Sequence, residues 1–159
     1  PAVEKGVRQV LEGSAFAGFP IQDVRVTVYD GKYHAVDSKE IAFVSAGRKA
    51  FLDAIAKANP VVLEPIADVE ITAPSDSMGD VAGDLSSRRG RVSNTDSLAA
   101  GVIAISGQAP LAEMEDYQSK LKSMTGGEGN FSMHFNAYEP APIDVQKRLS
   151  NAFQRPEEE

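Results

Sequence analysis

The sequence holds no cysteine and no tryptophan, and only two histidines in 159 residues. Without cysteine there is no disulfide, no thiolate metal site and no cysteine nucleophile, a composition that agrees with a cytoplasmic location. The histidines, His34 and His134, lack the spacing of helical metal ligands, so no metal is expected. No run of 18 apolar residues occurs, and no basic stretch leads into an apolar one, so neither a membrane span nor a secretory signal is expected. A G-x-x-x-x-G-K-[ST] loop is also missing: Gly79, Gly83, Gly126, Gly127 and Gly129 precede no Lys-Ser/Thr pair, and nothing cradles a nucleotide phosphate. The first two of these glycines read as helix packing and the other three as loop. Asp80 and Asp84, and Glu113, Glu115 and Asp116, fall on predicted helix faces and read as solvated acidic surface. No active site is left, and no cofactor is called for.

What is present is an ordinary apolar content of 42%, enough for one domain or two small ones. The net charge of −7 argues against coating nucleic acid. Its distribution is uneven, however. Residues 1–58 carry eight Lys/Arg against seven Asp/Glu, whereas residues 59–142 carry five against twelve. Local clusters of cations therefore remain able to face phosphate.

Periodicity predicts a helix over 3–17, with Val3, Val7, Val10, Leu11 and Ala15 on one face, stopped by Gly18-Phe19-Pro20. Val24, Val26 and Val28 alternate with polar residues as in a half-buried strand. After the turn signal Asp30-Gly31, Ser38 reads as the N-cap of a helix running to Ala58, with Val44, Gly47, Phe51 and Ile55 on its apolar face. Asn59-Pro60 marks a domain boundary. The second part reads strand 61–73, helix 76–89, strand 91–95, strand 101–108, helix 111–124 and strand 130–138. This βαββαβ order is the ferredoxin-like split motif. The fold class is α+β: a partial βαβ domain over 1–59, a ferredoxin-like domain over 60–142, then a short helix within 143–153 and an acidic tail expected to be disordered from Arg155. A helix, one strand and a second helix cannot build a sheet, so strands that pair with 23–29 are expected upstream and the chain reads as a piece of a longer protein. Its exposed apolar surface would favour self-association.

Two places carry candidate chemistry. In Met78-to-Val92, MGDVAGDLSSRRGRV, the residues Met78, Val81, Ala82 and Leu85 share a buried face. Arg88 and Arg89 fall in the last turn, and Gly90 is expected to take the left-handed position after it. From their spacing the arginines read as helix-capping cations. The loop from Tyr29 to Ser38 sets Lys32, Tyr33 and His34 side by side. A cation, an aromatic ring and an imidazole suit irregular RNA, although a solvated loop has the same composition.

Together with VLEPIADVEIT (Val62–Thr72) and PLAEMEDYQSKLKSMTGG (Pro110–Gly127), the SRRG helix closely resembles the C-terminal domain of bacterial elongation factor G, and VTVYDGKYHAVDSKEIAF resembles the tip of its penultimate domain. The resemblance spans roughly residues 1–142. It implies the latter part of domain IV (tip loop 30–38) followed by domain V. It further implies a ribosome-binding piece of a translational GTPase that promotes tRNA–mRNA translocation, with GTP and Mg held in an N-terminal domain absent here. By the same resemblance Lys32, Tyr33 and His34 would enter the decoding site, and Arg88, Arg89 and Arg91 would meet large-subunit rRNA. The glycine-rich loop in which the eukaryotic and archaeal relative carries its modified histidine is absent, so no such modification is implied. Ala35 in place of an acidic residue, Gly127-Glu128-Gly129-Asn130 in place of an arginine-bearing loop, and a longer tail from Ile143 depart from the pattern. These keep open a paralogue acting in ribosome recycling. A stand-alone ferredoxin-like regulatory or dimerisation module is the reading from a different class.

Overall fold

Alternating apolar residues in Leu63–Pro74 bury Ala67, Val69, Ile71 and Ala73 and leave Asp68, Glu70 and Thr72 in solvent, as a sheet with one covered face requires. In the computed structural model, which describes residues 1–13, 17–36 and 38–153, this strand is the centre of a four-stranded antiparallel sheet. The elements in chain order are α1 (Ala2–Glu12), α2 (Glu40–Lys57), β1 (Leu63–Pro74), α3 (Met78–Ser87), β2 (Arg91–Ser97), β3 (Val102–Pro110), α4 (Tyr117–Met124), β4 (Asn130–Pro140) and α5 (Ile143–Ala152). The sheet order is β2-β3-β1-β4, so the βαββαβ expectation holds. The chain forms two compact units, Pro1–Val62 with Ala141–Glu159, and Leu63–Pro140.

The second unit packs Val81 and Leu85 of α3, and Met114, Tyr117 and Leu121 of the α4 region, onto the apolar face of β1 and β3. Tyr117 meets Phe131 edge to face, with centroids 5.0 Å apart. The expected helix 111–124 is broken into a 3-10 turn, Leu111–Glu113, and α4. Met78, expected in the core, is exposed, because it opens α3 at the rim of the sheet. Gly79 and Gly83 do not serve packing either: a Cβ at each would meet nothing within 4 Å. Asp68, on the open face, accepts hydrogen bonds from Asn136 (2.7 Å) and Gln108 (2.9 Å), which hold its carboxyl below the usual carboxylate range.

In the first unit α1 crosses α2 around a small core of Val7, Val10 and Phe51. Gly6 and Gly47 allow this crossing. A Cβ on Gly6 would overlap the Val44 carbonyl oxygen and stand 2.9 Å from the Arg48 amide nitrogen; one on Gly47 would stand 2.7 Å from the Val3 carbonyl oxygen. The strand expected over 23–29 is not formed. Among the described residues of this unit nothing offers it a ladder, and Val24, Val26 and Val28 are exposed in a segment without regular secondary structure. Helix α5 belongs to this unit: Gln146 accepts from the Val62 amide (3.2 Å) and donates to the Ala141 carbonyl (2.7 Å), and the Ala141 amide donates to the Val62 carbonyl (2.9 Å). Gly18, in the left-handed region at φ +80°, leaves room for the Phe153 ring, whose Cδ2 lies 2.9 Å from where its Cβ would be. Ala15 and the tail from Arg155 lie outside the described residues.

Candidate functional site

The loop that leads into α2 stands clear of its own unit. Tyr29 is 94% exposed and Tyr33 72%, and Lys32 and His34 are exposed beside them. Asp30 Oδ1 accepts the Gly31 amide at 2.7 Å. Ser38 does not cap α2 as the spacing suggests: the helix has Lys39 at its N-cap and no side-chain cap. The Ser38 hydroxyl accepts the His34 amide (2.9 Å), and the Ser38 amide donates to the His34 carbonyl (3.0 Å). No side-chain hydrogen bond or ion pair engages Lys32, Tyr33 or His34 among the described residues, so these three present their polar atoms to solvent.

The arginines are arranged differently. Arg88 is the C-cap of α3 and Arg89 follows in the left-handed region at φ 60°. The Arg89 amide donates to the Ser86 carbonyl (3.1 Å) and the Gly90 amide to the Leu85 carbonyl (2.8 Å), the bond pair of a Schellman ending. The left-handed residue is therefore Arg89, not Gly90, at a cost of about 1 kcal/mol for a side chain with a Cβ. Gly90 is needed for space instead: its Cβ would stand 2.6 Å from Leu85 Cγ and from the Leu85 carbonyl oxygen.

Carboxylates hold Arg89 in place. Its guanidinium forks onto Glu64 (2.7 and 2.9 Å) and reaches Glu113 Oε1 (3.0 Å), and these pairs raise its pKa. Arg88 donates to Asp84 (2.8 Å), Asp116 (2.6 Å) and the Glu113 carbonyl (2.6 Å). The Arg88 bond, more than any other contact, holds the Asp116 carboxyl below its usual range. Asp84 and Glu113 are thus partners of the arginines rather than a bare solvated face. The Arg88 and Asp84 side chains are only 14% and 13% exposed. Arg91 points elsewhere, to Gln108 (3.2 Å) and Glu139 (3.1 Å), and its side chain is 62% exposed. The i,i+4 spacing of Asp84 and Arg88 was a local signal for one of these bonds; Glu64 and Glu113, some 25 residues away, gave none.

Under this corner Tyr117 is fully buried, and its hydroxyl has no partner among the described residues. The Arg88 guanidinium lies 5.2 Å from the ring centroid. Burial, more than the nearby Asp84 charge, pushes the phenol up to about 12. A group whose folded pKa exceeds its unfolded value of 10.0 stabilises fully below pH 10 and loses that stability as pH rises toward 12. Alkaline titration is expected to remove about 2 kcal/mol over that window. Tyr117→Phe, which keeps the ring and deletes an unpaired hydroxyl, is expected to abolish this alkaline loss at no cost near neutrality. Urea unfolding at pH 8 and pH 11.5 measures both; a Phe variant that weakens equally between them would contradict the assignment.

The described residues contain no group of three or more His, Cys, Asp or Glu able to hold a metal ion, and no helix long and apolar enough to cross a membrane. Comparison with known families matches residues 1–59 to the model of elongation factor G, domain IV, and residues 61–149 to that of the elongation factor G C-terminus. The chain is 44% identical over 149 residues to a protein of Thermotoga maritima named elongation factor G-like protein, and 45% identical over 149 residues to elongation factor G of Aquifex pyrophilus. Each alignment covers 94% of this chain but only 22% and 21% of those relatives, so the chain spans about a fifth of their length. A crystal structure of a Thermus thermophilus protein superposes with a TM-score of 0.78 at 35% identity, over 94% of this chain and 23% of that one.

Proposed function

The chain belongs to the elongation factor G family, and on that footing we propose that it is the ribosome-binding portion of a longer translation factor that promotes tRNA–mRNA translocation. The observation that carries this reading is the loop leading into α2, where Lys32, Tyr33 and His34 are exposed and no described residue engages their side chains in a hydrogen bond or ion pair. Such a tip acts by occupying a site: it binds one arrangement of tRNA and mRNA better than the other and so biases their movement. No bond need be made or broken in these residues, and the direction of movement would come from GTP and Mg bound outside this chain. The decoding region of the small subunit is the proposed target of the tip.

The proposed large-subunit contact lies at the corner carrying Arg88, Arg89 and Arg91. Arg91 is the one that offers N–H groups to phosphate without opening a buried ion pair. Arg88 and Arg89 set the shape of the corner from behind. No observation favours a stand-alone regulatory module.

The test is the salt dependence of ribosome binding by the full-length factor. Each phosphate contact removed lowers the log–log slope by about 0.7 to 0.9. Lys32→Ala and Arg91→Ala are each expected to show that drop. Slopes equal to that of the unsubstituted protein would remove these residues from the interface.

A further inference from the structure

Among the described residues, Ser38 is hydrogen-bonded to the tip at His34, and there it engages both backbone polar groups. Its hydroxyl takes the amide proton at 2.9 Å, and its own amide donates to the carbonyl at 3.0 Å. The Asp30–Gly31 bond is the only other hydrogen bond on the tip side of this clasp among the described residues. Ser38 is itself tied to the framework, since the next residue, Lys39, is the N-cap of α2 and its carbonyl accepts from Ala42 (3.0 Å). One end of the clasp is thus fixed to an 18-residue helix and the other holds the residue whose imidazole is exposed.

We propose that Ser38 is a positioning residue of the tip: by closing the backbone of His34 onto the start of α2 it preorganises the imidazole for its target. This inference rests on the functional reading above. Fixing one backbone residue opposes binding by lost conformational freedom, and a loop already held in place avoids part of that loss at the moment of contact. Because the clasp is made to the backbone of His34, His34→Ala leaves it intact, and the two roles separate experimentally. Ser38 also lies outside the small core of Val7, Val10 and Phe51, so loss of its hydroxyl leaves the packing of α1 on α2 unchanged.

The experiment is single-round translocation by the full-length factor carrying Ser38→Ala, Ser38→Thr, His34→Ala or Ser38→Ala with His34→Ala, with thermal midpoints measured beside the rates. Ser38→Ala is expected to be about fivefold slower, the equivalent of one hydrogen bond, at an unchanged midpoint. Ser38→Thr, which keeps the hydroxyl, is expected to stay within about twofold of the unsubstituted rate, and the double variant to be no slower than His34→Ala alone. A slowed His34→Ala beside an unslowed Ser38→Ala overturns this inference and leaves the functional reading standing. So does a Ser38→Ala defect that Thr does not rescue, that multiplies with His34→Ala, or that comes with a lowered midpoint, the mark of a helix cap. His34→Ala at the unsubstituted rate overturns the functional reading and this inference with it.

Discussion

Gly6→Ala is expected to lower the stability of the first unit by about 3 kcal/mol or more, enough to unfold a unit with so small a core. Alanine in a helix interior is ordinarily better than glycine by up to about 1 kcal/mol, so intrinsic preference predicts the opposite sign. Overlap decides the matter. The added methyl would fall on the Val44 carbonyl oxygen and near the Arg48 amide, both backbone atoms of α2 that no rotamer change can move. The two helices would have to separate, exposing Val7, Val10 and Phe51. Gly47→Ala meets the same obstacle from the other side, against Val3. Gly79→Ala and Gly83→Ala in α3 are the controls: their methyl groups enter open space, and each is expected to stabilise by up to about 1 kcal/mol. Urea unfolding of the four variants reads the contrast. A stabilised Gly6→Ala would mean that the helices do not cross at these glycines.

Glycine shows where sequence reading stops. Type and spacing place Gly47 on the apolar face of α2, yet only the crossing tells that its missing Cβ is what lets the helix approach. Gly90 was legible as a helix-end residue for the wrong reason, because a left-handed site and a tight fit to Leu85 both select glycine. In the second unit the pattern carried almost everything. One face of β1 is buried, so its period of two is unambiguous, and Val81, Leu85, Met114, Tyr117 and Leu121 repeat at helical spacing. The first unit read less well. Val24, Val26 and Val28 have the strand alternation, but a strand is defined by its neighbour, and the described residues supply none. At the candidate site, composition and loop position marked Lys32, Tyr33 and His34. They could not tell that Ser38 turns back to His34, since an N-cap and a clasp call for the same hydroxyl. Nor could they tell that Arg88 meets Asp116 and Arg89 meets Glu64 and Glu113, carboxylates of distant segments, while Arg91 pairs with Glu139 instead.

His34→Ala in the full-length factor is expected to slow tRNA–mRNA movement by about tenfold or more, the loss of one or two contacts made as the tRNA shifts. The substitution touches neither core, and the Ser38 clasp is to the His34 backbone, so the protein is expected to fold as before. Any loss therefore belongs to the imidazole. Arginine-corner variants would not separate the steps so cleanly, because truncating Arg89 strands Glu64, whose side chain is only 12% exposed, and alters the unit itself.

The measurement to make is single-round translocation and ribosome-stimulated GTP hydrolysis on the same preparation of the His34→Ala factor. A slowed translocation with hydrolysis near the unsubstituted rate is the result expected of a tip that guides tRNA and mRNA without chemistry of its own. Equal loss of both rates would place the defect in docking or activation of the factor, and the assignment of the 30–38 loop as the translocating tip would be wrong.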